Sequence, residues 1–358
     1  MRDRHFQELL PICPACRQLG RGDRRLRVAL VERQSQERLL DGLLQCSDAT
    51  CATEYPVVAG LPVLVPGLRA FLRDTSLYLM LRDDLEPAIL SLLAEASGPG
   101  SALESIFQQM STYGADHWGE IEAGYTPGSA QRCLEHGLSF VRGRLPDGPV
   151  LDAGCAAGGT SVALAEALGR TVLGIDVNPM LLGIGRRILE RGEVRYPLRR
   201  IGLLYDVRTR TYRPAGADLV DFWICNLAGL PFQDATFALI SALNILDCLP
   251  NPADGASEMR RVLTSGGVGI VACPFDWSGA VTPPEHWVGG HSGRPADRGD
   301  PAALLQPLLS GQLGGHAAPR SITVLGHEAR YPWRVRLHER ATVEYATCVL
   351  SFRMGESA

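Results

Sequence analysis

Lysine is absent from this sequence: all 35 basic residues are arginine, against 39 acidic residues, and the formal net charge is −4. No apolar run approaches the roughly 18 residues that a membrane-spanning helix needs. Residues 1–17 include Asp3 and Glu8 and have no apolar core, which is not the pattern of a secretory signal peptide. We therefore expect a globular cytoplasmic protein with no membrane partner.

A disulfide framework is also missing, because ten cysteines in 358 residues are too dilute for one. Four of them nevertheless form two close pairs, Cys13 with Cys16 and Cys46 with Cys51, separated by 29 residues. Each pair can present two thiolates to one metal ion, and two pairs complete a tetrahedral site that favours zinc. Four thiolates leave no open coordination position, so the predicted zinc is structural. The alternative is four unpaired buried cysteines in a small β domain.

The chain divides into three segments that differ in composition and in the spacing of their apolar residues. Residues 1–67 hold the paired cysteines and end in a β-type run, and we predict a small zinc-ribbon β domain there. Residues 68–140 have apolar residues at helical spacing and are predicted to be a helical linker or lid. From 141 to 358, short apolar strands alternate with amphipathic helices, which predicts an α/β domain with a parallel sheet.

The strongest motif is VLDAGCAAGGTSVALAEALGRTVLGID, residues 150–176. A strand leads through a glycine-rich turn into a helix near Thr160, and Gly154 and Gly158 allow the backbone to approach a ligand closely. Asp176 ends the next strand, where a carboxylate can accept ribose hydroxyls. Asp152 precedes the turn and would repel a pyrophosphate, whereas it suits the cationic S-adenosylmethionine. The motif therefore favours methyl transfer over hydride transfer.

Residues 145–275 as a whole resemble the class I S-adenosylmethionine-dependent methyltransferases with a type 11-like core. Besides the first motif, the resemblance includes Leu230-Pro231-Phe232 and a proline-bounded helix over 252–264 that Gly266 and Gly267 end. It implies a Rossmann-like sheet of seven strands with helices on both faces, and Asn226 at the adenine position. Ala156 replaces a glycine of the family, which is tolerable if its φ is negative. The cofactor contacts implied are Asp152, Gly154, Cys155, Ala156, Gly158, Asp176, Val177, Asn226, Leu227 and Asn244.

The N-terminal segment resembles the zinc ribbon of the small activator protein of tRNA and rRNA methyltransferases. The resemblance rests on CPAC, the second cysteine pair and YPVVAGLPVLVP. It implies metal ligation by Cys13, Cys16, Cys46 and Cys51.

Regions outside the common core are candidates for the acceptor side. Residues 111–120 precede the core and form either a lid or a packing segment, and an insertion at 274–316 follows the fifth core strand. Trp287 of that insertion is expected to wall the acceptor site or to pack on the core. His286 and His291 are interpreted as hydrogen-bonding or exposed residues rather than as metal ligands. The candidate catalytic residues are Tyr113, His117, Asp247 and His286.

Residues 186–213 contain nine arginines and three acidic residues. This stretch is either a basic patch for RNA or an acidic substrate, or a solvated arginine-rich excursion, which the overall acidity favours. We expect an S-adenosylmethionine-dependent methyltransferase acting on a small metabolite, natural product or peptide. An RNA methyltransferase, and a catalytically silent cofactor-binding scaffold that recruits a partner through the zinc ribbon, are the alternatives. The acceptor and the oligomeric state stay open.

Overall fold

A computed structural model describes residues 1–72, 87–119, 128–290, 301–313 and 320–355. Its strands are β1 (Leu26–Ser35), β2 (Arg38–Cys46), β3 (Glu54–Val58), β4 (Leu61–Leu64), β5 (Val150–Ala153), β6 (Val172–Asp176), β7 (Glu193–Ile201), β8 (Leu204–Thr211), β9 (Val220–Cys225), β10 (Phe237–Leu243), β11 (Leu263–Cys273), β12 (Ile322–His338) and β13 (Ala341–Met354). Its α-helices are α1 (Asp3–Leu9), α2 (Pro14–Gln18), α3 (Pro87–Ser97), α4 (Ala102–Trp118), α5 (Ser129–Ser139), α6 (Gly159–Leu168), α7 (Pro179–Arg191), α8 (Pro252–Val262) and α9 (Pro301–Ser310).

The described residues form an eleven-stranded sheet in the order β1-β2-β3-β4-β9-β6-β5-β10-β11-β13-β12. The seven strands from β9 to β12 form the predicted α/β sheet, and only β13 runs antiparallel to its two neighbours there. Strands β5, β9 and β10 are buried along their whole length, as strands covered by helices on both faces must be. The predicted mixed α/β fold is confirmed.

The N-terminal strands belong to the same sheet. Strands β1 to β4 pair antiparallel with one another, and β4 then pairs parallel with β9, Val63 opposite Ile224 and Leu64 opposite Cys225. Next to this joint, the buried carboxylate of Asp221 accepts a hydrogen bond of 2.8 Å from the main-chain N–H of Arg2. Burial alone would raise the pKa of Asp221, but the positive groups around it hold that pKa at about 2. The N-terminal segment is thus anchored to the core by a strand and by charge.

Two element boundaries differ from the sequence prediction. Helix α6 begins at Gly159, one residue before the expected start. Helix α8 ends at Val262, two residues earlier than predicted, because Leu263 already has the extended ψ of 132°. Gly266 and Gly267 therefore lie inside β11 and do not end the helix, which corrects that part of the prediction.

Residues 186–213 include the end of α7 and the whole β7–β8 hairpin, which stands outside the main sheet. The β12–β13 hairpin extends past the carboxyl end of β11, since Cys273 pairs with Cys348 while the hairpin continues to His338 and Ala341. The tips of the two hairpins touch, with the Glu339 N–H donating to the Arg200 carbonyl at 3.2 Å. Both hairpins thus lie at the edge of the sheet where ligands bind in open α/β folds. No helix in the described parts of the chain is long and apolar enough to cross a membrane.

Candidate cofactor site and cysteine cluster

A cavity of about 200 Å³ opens at the carboxyl ends of β5, β6 and β10, and we call it the strand-end cavity. Parallel strands bring their carboxyl ends to one edge, which is why the loop residues that follow them meet there. Helix α4 contributes a further wall of the cavity. The lining residues are Gln109, Tyr113, His117, Ala130, Asp152, Gly154, Ala156, Thr160, Asp176, Val177, Asn178, Leu181, Leu243, Asn244, Ile245, Cys248 and Trp333.

The glycine-rich turn has left-handed backbone at two critical residues. Gly158 has φ +83°, and a Cβ atom there would lie 2.4 Å from the Phe222 ring, so only glycine fits. Ala156 has φ +46°, which corrects the assumption of a negative φ at this alanine. A left-handed alanine costs about 1–2 kcal/mol relative to the right-handed conformation. Its main-chain N–H points at Asp176 and donates to that carboxylate at 3.1 Å.

Asp176 stands at the end of β6 and lines the strand-end cavity. Its Oδ2 accepts the Ala156 N–H, and its Oδ1 accepts the Asn178 N–H at 2.8 Å. Burial raises the pKa of Asp176, and these two main-chain donors oppose that shift. A carboxylate has about four acceptor positions, so two remain for further donors.

Asp152 also lines the cavity but is only 2% exposed. Its two oxygens accept hydrogen bonds from three hydroxyls, those of Thr160 and Ser161 at 2.7 Å and that of Ser241 at 2.6 Å. Burial raises the pKa of this carboxyl group, and the three hydroxyls counteract the rise. In this structure Asp152 ties β5 to α6 and β10, a role that the sequence analysis did not anticipate.

His117 has a defined tautomer. The N–H of Gly159, at the start of α6, donates to His117 Nδ1 over 2.9 Å. Burial lowers the pKa of His117 to about 4, so the ring is neutral near pH 7 and its proton resides on Nε2. A neutral imidazole in this state donates from Nε2 and cannot accept a proton there.

Tyr113 is a second residue of helix α4 in the wall of the strand-end cavity. Burial raises the pKa of its phenol, which therefore stays protonated and can donate a hydrogen bond. Both helical candidates for the base thus present donors to the cavity.

Asn244, at the end of β10, also has left-handed backbone, with φ +53°. Its N–H donates to the Ala272 carbonyl at 2.8 Å, whereas its buried Oδ1 has no hydrogen-bond partner among the described residues. Strained backbone and an unpartnered buried acceptor cluster at sites that bind ligands. Cys248 is close by, and burial together with the Asp247 carboxylate raises the pKa of its thiol to about 12. This thiol is therefore not a nucleophile at neutral pH.

Several predicted residues do not line the strand-end cavity. The Oδ1 of Asn226 accepts the Ala228 N–H at 2.9 Å and caps a short turn, and the Oδ2 of Asp247 accepts the Asp276 N–H at 2.9 Å. The Nδ1 atom of the exposed His286 lies 3.0 Å from the carbonyl oxygen of Pro250. The other predicted residues outside the lining are Cys155, Gly158 and Leu227.

The described part of the 274–316 insertion packs both on itself and on the core: the Thr282 hydroxyl donates to the Leu249 carbonyl at 2.7 Å, and Leu305, Leu308 and Leu309 are buried in the core. The Trp287 indole N–H donates to the Thr282 carbonyl at 2.8 Å, and its ring stacks on Trp277 at 6.3 Å between centroids. His291 and residues 292–300 and 314–316 lie outside the described residues.

The sequence analysis missed some residues of the cavity wall. Asn178 caps α7 by accepting the Met180 N–H at 3.0 Å, and the Asn-Pro step at 178–179 is a helix-start signal that could have revealed it. Trp333 comes from β12, more than 150 residues after the glycine-rich turn. Only the pairing of β12 with β13 brings Trp333 to this edge, and no local sequence signal indicates that.

The four N-terminal cysteines converge as predicted, with all four sulfur atoms within 4.8 Å of one another. Cys13 Sγ lies 3.9 Å from Cys51 Sγ, and Cys16 Sγ lies 3.7 Å from Cys46 Sγ. Tetrahedral zinc with Zn–S bonds of about 2.3 Å places its sulfurs about 3.8 Å apart, so the cluster has the right size. The phenol of Tyr55, the Thr53 hydroxyl and the main-chain N–H groups of Cys16 and Asp48 lie within hydrogen-bonding reach of these sulfurs.

Comparison with known proteins agrees with this arrangement. Residues 151–271 match the model of a methyltransferase domain family. A curated relative, the 2-methyl-6-phytyl-1,4-hydroquinone methyltransferase of Synechocystis sp. (strain ATCC 27184 / PCC 6803 / Kazusa), is 27% identical over 174 residues, 45% of this chain and 46% of that protein. The chain thus spans about half the length of this curated relative. The match confirms the predicted resemblance to methyltransferases over residues 151–271.

Solved structures are similar only at low identity. One is a chain in the complex between the Haloferax volcanii Trm112 methyltransferase activator and a putative methyltransferase, with a TM-score of 0.40, 14% identity, and coverage of 69% of this chain and 96% of that one. Another is geranyl diphosphate C-methyltransferase from Streptomyces coelicolor A3(2), with a TM-score of 0.31, 20% identity, and coverage of 40% and 45%.

Proposed function

We propose that this chain, whose residues 151–271 match a methyltransferase domain family, transfers a methyl group from S-adenosylmethionine to a small-molecule acceptor. The strand-end cavity carries this proposal. It combines a left-handed glycine-rich turn, a carboxylate with spare acceptor positions on Asp176, and the unpartnered Oδ1 of Asn244. These are the features expected of a site that holds a polar nucleoside-type cofactor.

The residues present fit the cofactor. Asp176 would accept hydrogen bonds from the ribose hydroxyls. The two donors on helix α4, His117 Nε2–H and the Tyr113 hydroxyl, suit hydrogen-bond acceptors of the cofactor such as its carboxylate. Asn244 Oδ1 would accept a hydrogen bond from an N–H or O–H group of the cofactor or of the methyl acceptor. S-adenosylmethionine supplies an electrophilic methyl group, which leaves the sulfonium in an in-line displacement. The protein contributes mainly position and exclusion of water.

The same geometry bears on whether helix α4 supplies a general base for the methyl acceptor. With Gly159 N–H on Nδ1 and a proton on Nε2, His117 has no free lone pair for an acceptor proton. The raised pKa of Tyr113 keeps its phenol protonated. We therefore assign both residues to binding and orientation, and we propose that acceptors of this protein do not need a base supplied by helix α4.

The apolar residues in the wall of the strand-end cavity favour a small methyl acceptor. Leu243, Ile245 and the 3% exposed Trp333 supply apolar surface next to the polar residues. The curated relative with the known activity is a methyltransferase of a phytyl hydroquinone, a small aromatic molecule. Both observations support a small organic acceptor with an apolar part.

The arginine-rich stretch gives little support to an RNA acceptor. Arg186 pairs with Glu190 at 2.8 Å and Arg187 with Glu193 at 3.0 Å, and Arg199 lies 3.6 Å from Glu104. Arg200 forms an ion pair with Asp206. Four of the nine arginines of this stretch are thus balanced by carboxylates of the protein, which reduces the charge available to an RNA backbone.

We propose in addition that the cysteine cluster binds one structural zinc ion. Four sulfur ligands at tetrahedral spacing leave no position for water, so the ion would stabilise the N-terminal part and take no part in methyl transfer. Through β4 this part completes the β9 edge of the core sheet.

The test is a calorimetric titration of the purified protein with S-adenosylhomocysteine, followed by transfer of labelled methyl groups to fractionated small molecules and to RNA. We expect saturable binding with one site per chain and label in a small-molecule fraction. Binding of NAD with no response to S-adenosylhomocysteine would overturn the proposal. Cofactor binding without any labelled product would indicate the catalytically silent scaffold. Labelled RNA would show that RNA, and not a small molecule, is the methyl acceptor.

A further inference from the structure

The strand-end cavity extends across the sheet edge between two different groups of residues. In the strand order β6-β5-β10-β11-β13-β12, Asp176 ends β6, whereas Asn244 follows β10 and Trp333 lies on β12. All three residues line the cavity. The ribose contact proposed for Asp176 occupies the β6 side of the cavity, which leaves the side formed by Asn244 and Trp333 to the methyl acceptor.

Trp333 is the aromatic wall of this second side, and it is 3% exposed. The next residue, Arg334, donates its main-chain N–H to Ser129 Oγ on α5 at 3.1 Å. The hydroxyl of Thr112 on α4 donates to the Arg336 carbonyl at 3.3 Å. Strand β12 is therefore tied to both helices that wall the cavity, and the flat indole ring has a fixed place beside it. A ring held in this way offers a stacking surface to another ring.

Trp333 lies outside residues 151–271, the part of the chain that matches the methyltransferase family. The aromatic wall is thus added to the domain by the C-terminal β12–β13 hairpin. A side chain supplied from outside the common domain is suited to selecting the acceptor, since the cofactor is shared by the family and the acceptor is not.

Asn244 is the polar residue on the same side of the cavity. Its backbone is left-handed, with φ +53°, and its buried Oδ1 has no hydrogen-bond partner among the described residues. The residues on either side of it, Leu243 and Ile245, also line the cavity and are apolar. An open acceptor atom in apolar surroundings favours a ligand that brings its own O–H or N–H group to it.

We infer that this side of the strand-end cavity binds an aromatic methyl acceptor that carries an O–H or N–H group on its ring, a phenol or an arylamine. Trp333 stacks on the ring, and Asn244 Oδ1 accepts a hydrogen bond from the group that receives the methyl. The inference rests on the proposed methyl transfer and names the class of its acceptor.

The transfer step balances without a further reactant. A lone pair on the acceptor oxygen or nitrogen forms the new bond to the methyl carbon. The bond between that carbon and the sulfonium breaks, and its electron pair stays on sulfur, which yields S-adenosylhomocysteine. The acceptor proton passes to water, so the step agrees with the absence of a base on helix α4.

The experiment uses three probes, phenol, cyclohexanol and toluene, each titrated into the full chain saturated with S-adenosylhomocysteine and followed by nuclear magnetic resonance. Cyclohexanol keeps the hydroxyl and lacks the aromatic ring, whereas toluene keeps the ring and lacks the hydroxyl. We expect saturable millimolar binding of phenol, about threefold to tenfold tighter than binding of either other probe, as stacking and a hydrogen bond each contribute.

Variants then assign the two preferences to residues. Trp333→Ala should remove the preference for phenol over cyclohexanol, and Trp333→Phe should retain it because a ring remains. Asn244→Gly, which tolerates the positive φ, should remove the preference for phenol over toluene. Tyr331→Ala is the matched control, since Tyr331 stacks on His136 at 4.6 Å between centroids, on the same face of β12 as Trp333, and does not line the cavity.

S-adenosylhomocysteine affinity and melting temperature are measured on every variant, and Trp333→Leu repeats the comparison should Trp333→Ala unfold. Equal wild-type binding of phenol and cyclohexanol, or a preference that survives the loss of the ring at Trp333, would overturn the inference. So would weaker S-adenosylhomocysteine binding in a stable Trp333→Ala protein, because the indole would then belong to the cofactor site.

A preference over toluene that survives Asn244→Gly would overturn the role of Asn244. No saturable phenol binding by a protein that binds S-adenosylhomocysteine would overturn the inference and leave the proposed function intact. A protein that does not bind S-adenosylhomocysteine at all would contradict the proposed function itself.

Discussion

The cysteine cluster and the strand-end cavity are both built around short sequence motifs, but they direct their polar atoms differently. In the cluster, the four sulfur atoms face one another within 4.8 Å, and groups such as the Tyr55 hydroxyl surround them. In the cavity, Asp176 and Asn244 line a void, and the buried Oδ1 of Asn244 has no hydrogen-bond partner among the described residues. A site whose ligands face inward stabilises the fold, whereas one whose ligands face a void can bind and release molecules.

The largest effect should come from the cluster. Cys13→Ser removes one of four thiolates, and we expect loss of zinc and a loss of unfolding free energy of several kcal/mol, because binding of a structural metal is coupled to folding. Metal analysis and thermal melting measure both. Cys248→Ser, which changes a cysteine outside the cluster, should keep one zinc per chain. A fully stable Cys13→Ser protein would show that the cluster is not structural.

At the cavity, Asp176→Asn should weaken S-adenosylhomocysteine binding by about 1.5–3 kcal/mol, the range for hydrogen bonds to a charged group. The side chain keeps its size and one acceptor oxygen, so the zinc content should not change. Calorimetry compares this variant with Asp206→Asn, a carboxylate that pairs with Arg200 on the β7–β8 hairpin. Wild-type affinity in Asp176→Asn would remove this residue from the cofactor site.

His117 provides a test through pH. Its pKa is lowered to about 4 in the folded protein, against an ordinary value near 6.5 when unfolded. Between these values the unfolded state binds a proton that the folded state does not, so the unfolding free energy should fall as pH falls through this window. His117→Asn, whose Oδ1 can accept the Gly159 N–H, should flatten that part of the stability curve, and loss of the Nε2–H donor should weaken S-adenosylhomocysteine binding. An activity limb near pH 6.5 that disappears in the variant would instead identify His117 as a base.

The smallest effect concerns the turn itself. Ala156→Gly relieves the left-handed alanine, and after the extra freedom of glycine in the unfolded chain is subtracted we expect a gain of about 0.5–1 kcal/mol. Ala157→Gly is the matched control, because Ala157 is not among the residues with positive φ and should lose stability when changed. Denaturant unfolding of the two variants gives the comparison. A loss of stability in both would mean that the Ala156 methyl group makes favourable contacts that outweigh the strain.

The sequence by itself determined what depends on neighbours along the chain. The spacing of Cys13 and Cys16, and of Cys46 and Cys51, predicted the cluster, and strand, turn and helix followed from the residues between Val150 and Asp176. These patterns are reliable because helices and strands present their side chains at a fixed period and because turns and metal-binding pairs depend on residues close in sequence. The α/β class followed for the same reason.

Only the tertiary structure decided what depends on residues far apart. Ala156 adopts a positive φ while its N–H donates to the Asp176 carboxylate, and the tautomer of His117 follows from the contact between α4 and α6. Trp333 reaches the strand-end cavity because the pairing of β12 with β13 carries a distant segment to that edge. Long-range pairing is set by the burial of whole faces, which no local stretch of sequence encodes.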